Sequence, residues 1–408
     1  MPLITRRKFV ATGAVAAGAA VTGFPYVVRA AEEAVILGLW DYSGAYADVG
    51  PTMDLGAQIA LEQVGYMAGN VKLRYITRDG ETKAGAATRR AEEAIASEGV
   101  RYIIGPWSSG VGLAVAEVAK NNKVMHWFSG GTEDITGKRC SRYAFQWAAN
   151  AWTAMNAVLE AFSKQYPNAK KLYLFVADYA FGWSLQKYVE NLAPKYGLQV
   201  VGADRHPLGQ REFSSYILKA AAANPDAIYM INVGLDAVSA ARQLHSFGLI
   251  PKIPVVLSWS LGTEELIQLA PEIRSNMIVG TNYYYTVDTP ISKTFVETYQ
   301  KRDPQGNPPG YAPGAAYALA HMTIESIKRA GSPDVQKAIQ AIEGAELDGL
   351  VGKVKVEAAN HQTLRPYFVL KTKTAQESQG PQDLATIIHT SATPQPKELN
   401  ECTDIGGF

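Results

Sequence analysis

Two short loops hold residues whose types and spacing suit anion chemistry. "GPWSSG" (residues 105–110) follows an apolar run and sets Ser108 and Ser109 where a helical pattern restarts. "FSGGTEDIT" (residues 128–136) follows a second apolar run and carries Ser129, Gly130, Gly131 and Thr132. The first turn of a helix has N–H groups without helical partners and the positive end of the helix dipole, which together attract an anion. Glycines let the backbone approach a ligand, and the hydroxyls add donors. Either loop alone also reads as an ordinary Ser or Thr helix cap. Two of them after successive strands suit a carboxylate.

Most of the machinery an enzyme would need is absent from the chain. There is no G-x-S-x-G elbow, P-loop, H-E-x-x-H or C-x-x-C. The six histidines are scattered, and His126, inside an apolar run, reads as a buried, hydrogen-bonded histidine rather than a metal ligand. "GVGLAV" at Gly110 is a near miss for a dinucleotide fingerprint, with Val115 at its third glycine position. No catalytic residue, metal or cofactor is expected. Cys140 and Cys402, far apart in sequence, form a disulfide candidate in an oxidising compartment, with two separate thiols as the alternative.

Residues 1–30 read as a twin-arginine signal peptide. Arg6 and Arg7 precede a weakly apolar stretch that ends in small residues at Ala30, where cleavage is expected. Removing Arg6, Arg7, Lys8 and Arg29 leaves 35 basic against 38 acidic residues. A net charge near −3 gives no basic footprint for nucleic acid, and no other stretch reaches the length of a membrane span. A soluble periplasmic protein, exported through the twin-arginine machinery, is the expectation. Roughly 378 residues remain, which predicts more than one domain.

The elements that must position the two loops alternate in kind. "AVILGLW", "VKLRYIT", "RYIIG" and "KVMHWF" are separated by amphipathic stretches such as residues 53–64 and 84–97. A second series, "KLYLFVA", "LQVVGAD", "DAIYMI" and "IPVVLS", begins after residues 142–149. Continuous apolar runs alternating with helical patterns predict α/β architecture: two doubly wound, Rossmann-like lobes of parallel strands. In such sheets ligands collect at the carboxyl ends of the strands. Two long helical segments, 291–301 and 314–330, and two late strands, "GLVGKVKV" and "YFVLKTK", follow. Residues 376–396, rich in Gln, Ser and Pro, read as an extended tail.

Five pieces in order resemble the type I periplasmic solute-binding proteins of the branched-chain amino acid family, which serve ABC importers. They are "GLWDYSGAYADVGPTMDLGAQIALEQV", "IGPWSS", "SGGT", "DYAFG" after "LYLFVA", and "NHQTLRPYFVLK". The resemblance covers nearly all of the chain beyond residue 30. It implies two lobes joined by three crossover segments, near residues 145–150, 280–284 and 352–365, closing on a ligand by a hinge motion. The divisions that follow are 31–147 plus 283–352 for the N-terminal lobe, 148–282 plus 353–375 for the C-terminal lobe, and 376–408 for a C-terminal tail. Implied partners are a small-molecule ligand and an inner-membrane ABC permease, with the receptor a monomer.

The resemblance also implies that Ser109, with Ser108 beside it, and Gly131 and Thr132 hold a ligand carboxylate. Family members that bind amino acids hold the ammonium with an acid on the loop after the "IPVV" strand, and Trp259 stands at that place here. Phe181 takes the place of the usual aromatic of the "YG" turn, and Val49 that of a tyrosine in the opening loop. An ammonium without a partner in a closed cleft is costly, whereas Trp259 offers a ring face. Trp40, Tyr42, Tyr179, Phe181, Gly234 and Tyr284, the last flanked by Tyr283 and Tyr285, complete the expected lining. The expected ligand is a small aromatic carboxylate, benzoate- or phenylpropenoid-like. The rival is an amino acid or short amide, with Asp236 replacing the missing acid. Glu264 and Glu265 read as solvated carboxylates at a helix start, with an inward reach as the alternative. An exported enzyme and a ligand-sensing subunit are the more distant readings.

Overall fold

The computed structural model describes residues 32–259 and 262–408. The expected signal peptide, including Ala30, lies outside them.

Six strands build the first sheet, in the spatial order Met67–Ala68, Val71–Asp79, Glu33–Trp40, Tyr102–Ile104, Met125–Phe128, Ala144–Gln146. All neighbours run parallel except the short hairpin pair at the Met67 edge. Glu33–Trp40 is buried at every position after Glu33. Helices cover both faces of this strand, so its sequence is continuously apolar instead of alternating. Helix Ser109–Asn122 leads out of one loop, and helix Tyr311–Ala330 packs against helix Gly50–Gln63. Gly56 is needed there, because a Cβ would run into the Pro313 carbonyl.

The second sheet has seven strands, ordered Ala385–Ser391, Tyr367–Thr372, Ile278–Thr281, Val255–Ser258, Ala227–Ile231, Lys171–Ala177, Gln199–His206. The first two are antiparallel additions to a parallel set. Helix Ala151–Gln165 lies against this sheet, and Asn150 caps its start by accepting the Thr153 N–H at 2.8 Å. A small third sheet joins Glu346–Gly349, Gly352–Val356 and Thr363–Leu364.

The segments passing between the sheets meet in a buried knot. Asn282 Oδ1 accepts from the Ala149 N–H at 2.9 Å and from Arg365 Nη1 at 2.6 Å. Arg365 also donates to the Asn282 carbonyl and stacks 4.0 Å above the Trp147 ring. Burial lowers the Arg365 pKa to about 9, and no carboxylate stands among its hydrogen-bond partners.

The C-terminal residues differ from the expected extended tail. Residues 385–391 form a strand paired with Tyr367–Thr372. Its period-2 burial (Ala385 and Ser391 buried, the residues between alternately exposed) marks an edge strand, and polar composition hid it. Beyond it the chain returns across the molecule. Thr393 O accepts from Thr153 Oγ1 at 2.8 Å, Gln395 donates to Tyr188 Oη at 2.9 Å, and Cys402 is disulfide-bonded to Cys140. Phe408 then packs under Arg142 and against Tyr143.

Candidate functional site

The carboxyl ends of both sheets meet at one narrow cavity. Ser109 opens helix Ser109–Asn122, and Ser129, Gly130 and Gly131 follow strand Met125–Phe128. These four and Trp107 line one wall. Tyr179 and Phe181, after Lys171–Ala177, form the other wall with Val233 and Trp259, each from the end of its own strand, and Tyr311 closes the side.

Close approach explains the two glycines. A Cβ on Gly131 would lie 2.7 Å from the Phe181 ring, and one on Gly130 would strike Phe128 and come within 2.9 Å of Ser109 Oγ. The Ser129 hydroxyl is wholly buried yet makes no hydrogen bond. Its carbonyl accepts from Tyr311 Oη at 2.5 Å, and Tyr311 Oη accepts from Trp259 Nε1 at 3.1 Å. This relay fixes Trp259, at φ +63°, edge-on to Phe181 with ring centroids 6.4 Å apart. Trp107 lies 4.9 Å from Tyr311, centroid to centroid.

The halves are closed on each other at this point. The Tyr46 and Tyr179 hydroxyls are 2.6 Å apart, and Lys187 reaches Glu133 at 2.8 Å. Lys187 also lies 3.6 Å from Glu401. Glu133, Asp134 and Glu401 bring carboxylate oxygens within 4.8 Å of one another, and the Lys187 ammonium supplies countercharge there.

A second cavity shares Trp107, Val233, Trp259 and Tyr311 with the first and is completed by Tyr46, Val49, Gly234, Gly262, Glu264, Glu265 and Ala312. Glu264 and Glu265 therefore differ from the solvated pair expected. Glu265 is buried and Glu264 half-buried. Helix Thr263–Leu266 is a single turn, too short to present a separate solvent face. Glu264 Oε1 accepts the Gly310 N–H at 2.9 Å, and Glu265 Oε2 accepts the Gly262 N–H at 2.7 Å. Burial raises Glu264 to about 7, and burial with the charge of Glu264 raises Glu265 to about 8.

Of the residues expected at the site, Ser109, Ser129, Gly130, Gly131, Tyr179, Phe181 and Trp259 line the first cavity and Gly234 the second. The others face elsewhere. Trp40 ends strand Glu33–Trp40 and is buried, donating to Tyr75 Oη at 2.7 Å. Ser108 is the residue before the helix, and its N–H, with those of Thr82 and Trp107, serves Asp41, whose pKa burial raises to about 6. Thr132 Oγ1 accepts the Asp134 N–H at 3.3 Å within its own loop. Asp236 accepts the Gly209 N–H at 2.9 Å and is ion-paired to Arg211. Tyr284 packs on Tyr285 beside Ala385 and lines neither cavity. His126 is buried with Nε2 2.5 Å from the Gly105 carbonyl, and burial lowers its pKa to about 4. Trp107, Val233 and Tyr311 were missed. Trp107 was open to detection, inside the first loop, whereas Tyr311 is 182 residues from the Ser129 it binds.

Two α/β halves closing on a narrow cavity between the carboxyl ends of their strands define the class of cleft-closing solute receptors. The chain belongs to the periplasmic binding protein family, whose sequence model matches residues 34–379. It is a type I member of the branched-chain amino acid group, similar to a Leu/Ile/Val-binding protein homologue of Brucella melitensis at 25% identity over 73% of each chain. Among solved structures it is similar to an amino acid ABC transporter substrate-binding protein from Pseudomonas fluorescens, at 30% identity and TM-score 0.86, covering 92% of this chain and 100% of that one. A solute-binding protein from Rhodopseudomonas palustris, solved with 3,4-dihydroxybenzoic acid, shares the fold at 19% identity and TM-score 0.81, covering 90% and 99%. The family consists of solute-binding receptors that work with ABC permeases, not of enzymes. Among the described residues no helix is long and apolar enough to cross a membrane.

Proposed function

We propose that this receptor captures a small aromatic carboxylate, benzoate- or phenylpropenoid-like, and delivers it to an inner-membrane ABC importer. The observation that carries this reading is the buried, unpartnered Ser129 hydroxyl beside Ser109, in a cavity whose other side chains are mostly aromatic and include no acid. A carboxylate there would gain about 1.5–3 kcal/mol from each charge-assisted hydrogen bond. Ring burial against Trp259 and Phe181 adds a similar amount. After ordering costs of several kcal/mol, micromolar binding, about 8 kcal/mol, is within reach. Aromatic acids bound to relatives of the same fold support the ring, and the Pseudomonas relative keeps amino acids in the test panel. Asp236, engaged by Arg211, is a poor ammonium partner.

In this proposal, closure turns on the three crossovers around Ala149, Asn282 and Arg365, between lobes 31–147 plus 283–352 and 148–282 plus 353–375. The receptor is a periplasmic monomer, exported by the twin-arginine route and cut near Ala30. The test is a thermal-shift screen of protein stripped of ligand by unfolding and refolding, against aromatic acids, aliphatic amino acids and short amides. Stabilisation by aromatic carboxylates is expected. Stabilisation by amino acids alone would overturn the reading.

A further inference from the structure

The two ends of the binding space differ in chemistry. The serines and glycines of the two loops line the first cavity only, and Glu264 and Glu265 line the second only. Trp107, Val233, Trp259 and Tyr311 border both cavities, so the two lie side by side.

Glu265 is 7% exposed, and its Oε2 accepts the Gly262 N–H. Its side chain lines the second cavity. Glu264 likewise has Oε1 on Gly310, with Oε2 beside it, so tightly set that a Cβ on Gly310 would collide with the carboxylate. Acceptors placed so deep in an apolar space carry a desolvation cost unless a donor arrives.

An α-amino acid does not supply that donor. Its ammonium is bonded to the carbon bearing the carboxylate, so it stays beside the serine loops, in the compartment with no acidic lining. The donor has to sit at the other end of the ligand, beyond the ring.

We propose that Glu264 and Glu265 are specificity residues that accept a hydrogen bond from a donor group, a hydroxyl or an amine, on the ligand ring opposite its carboxylate. The ligand is then a bipolar aromatic acid, held by N–H and O–H donors at one end and by carboxyl acceptors at the other. This rests on the reading of the first cavity as the carboxylate site. It goes further by making the unsubstituted ring a poor ligand, because an acid without the donor brings no partner to the Glu264 and Glu265 carboxyls.

The test uses isothermal titration of ligand-stripped protein with benzoate and cinnamate, each compared with its 3- and 4-hydroxy forms and its 4-methoxy form. The expected result is at least tenfold tighter binding of one hydroxylated acid than of its parent and its methoxy ether. In Glu265→Met that advantage falls to within about twofold while parent-acid affinity is kept. Equal binding of parent and hydroxylated acids by the wild-type protein would overturn this inference and leave the aromatic-carboxylate reading standing. Failure of every aromatic carboxylate to bind would overturn both. The wild-type comparison stands even if the variant does not fold.

Discussion

Two buried polar clusters lie within one loop of each other and are finished differently. At the crossovers, Gln362 Nε2 donates to the Ala148 and Thr363 carbonyls at 2.7 and 3.0 Å, and its Oε1 accepts from Thr136 at 3.1 Å. Gln146 Nε2 donates to the Gly130 carbonyl at 2.7 Å, and Thr363 Oγ1 to the Trp147 carbonyl at 2.5 Å. Across Gly130 the pattern reverses: Ser129 Oγ is as deeply buried and has no partner. Burial is the same at Gln362 and at Ser129, and satisfaction separates these two side chains, whereas Asn282 Nδ2 and Arg365 Nε at the crossovers lack partners as Ser129 does. Most buried polar groups in native proteins are paired, so each exception asks for an explanation, and at Ser129 the proposed carboxylate supplies one.

Substitution separates the two most sharply at the serines. Ser109→Ala with Ser129→Ala removes two charge-assisted bonds of at least about 1.5 kcal/mol each, so carboxylate affinity should fall on the order of a hundredfold. The unliganded melting temperature should hold or rise, since an unpaired hydroxyl is lost. Titration and melting of the same samples check both, and a falling melting temperature with intact affinity would reverse the comparison.

Gln362→Leu is the opposite case. It strips three partners of their bonds, at about 1 kcal/mol each, and stability should drop by roughly 2–3 kcal/mol in urea melts. Affinity of the folded protein should stay within about threefold. A large affinity loss with unchanged stability would make the crossover cluster part of the ligand site.

The chain's own residues account for how much of this was readable. Continuous apolar runs such as residues 34–40 and 171–177 declare parallel strands covered on both faces, so both sheets were legible. Small residues after the strands marked the two loops that line the first cavity for the same local reason. What failed depends on distant partners. Asp236 looked available until Arg211, 25 residues earlier, was seen to engage it. Trp40 ends a strand instead of standing on the loop after it, and it donates to Tyr75. Tyr311 comes from a helix start with no pattern of its own, and the strand Ala385–Ser391 was masked by polar residues that suit a half-exposed edge.

Glu264 and Glu265 extend the comparison to pH. Their raised pKa values, about 7 and 8, mean that the native state holds protons the unfolded chain releases near pH 4.5. Stability therefore falls as pH rises toward 8. Asp41, raised to about 6, acts in the same direction at lower pH, and Asp48 and Asp303 add negative charge near the pair. Buried histidines act oppositely: His126, lowered to about 4, favours the native state as pH rises toward 6.5. The clean window is pH 6.5–8, where a loss on the order of 1 kcal/mol is expected by urea melts. Glu264→Gln with Glu265→Gln should flatten it, and an unchanged slope would show that the pair does not hold those protons.

The smallest expected effect is at Thr132. The family resemblance assigns its hydroxyl to the ligand carboxylate, yet here that oxygen accepts the Asp134 N–H at 3.3 Å and lines neither cavity. Thr132→Ala should cost about 0.5–1 kcal/mol of stability, as loss of one side-chain bond to backbone does, and leave carboxylate affinity within about twofold. Ser129→Ala, three residues away, should cost tenfold or more. The pair of titrations distinguishes two ways of building one loop. If Thr132→Ala matched Ser129→Ala, the loop would have to re-form around the carboxylate, giving up the Asp134 bond for the ligand. Equal sensitivity would thus move the anion site toward the second glycine, and unequal sensitivity keeps it on the two serines.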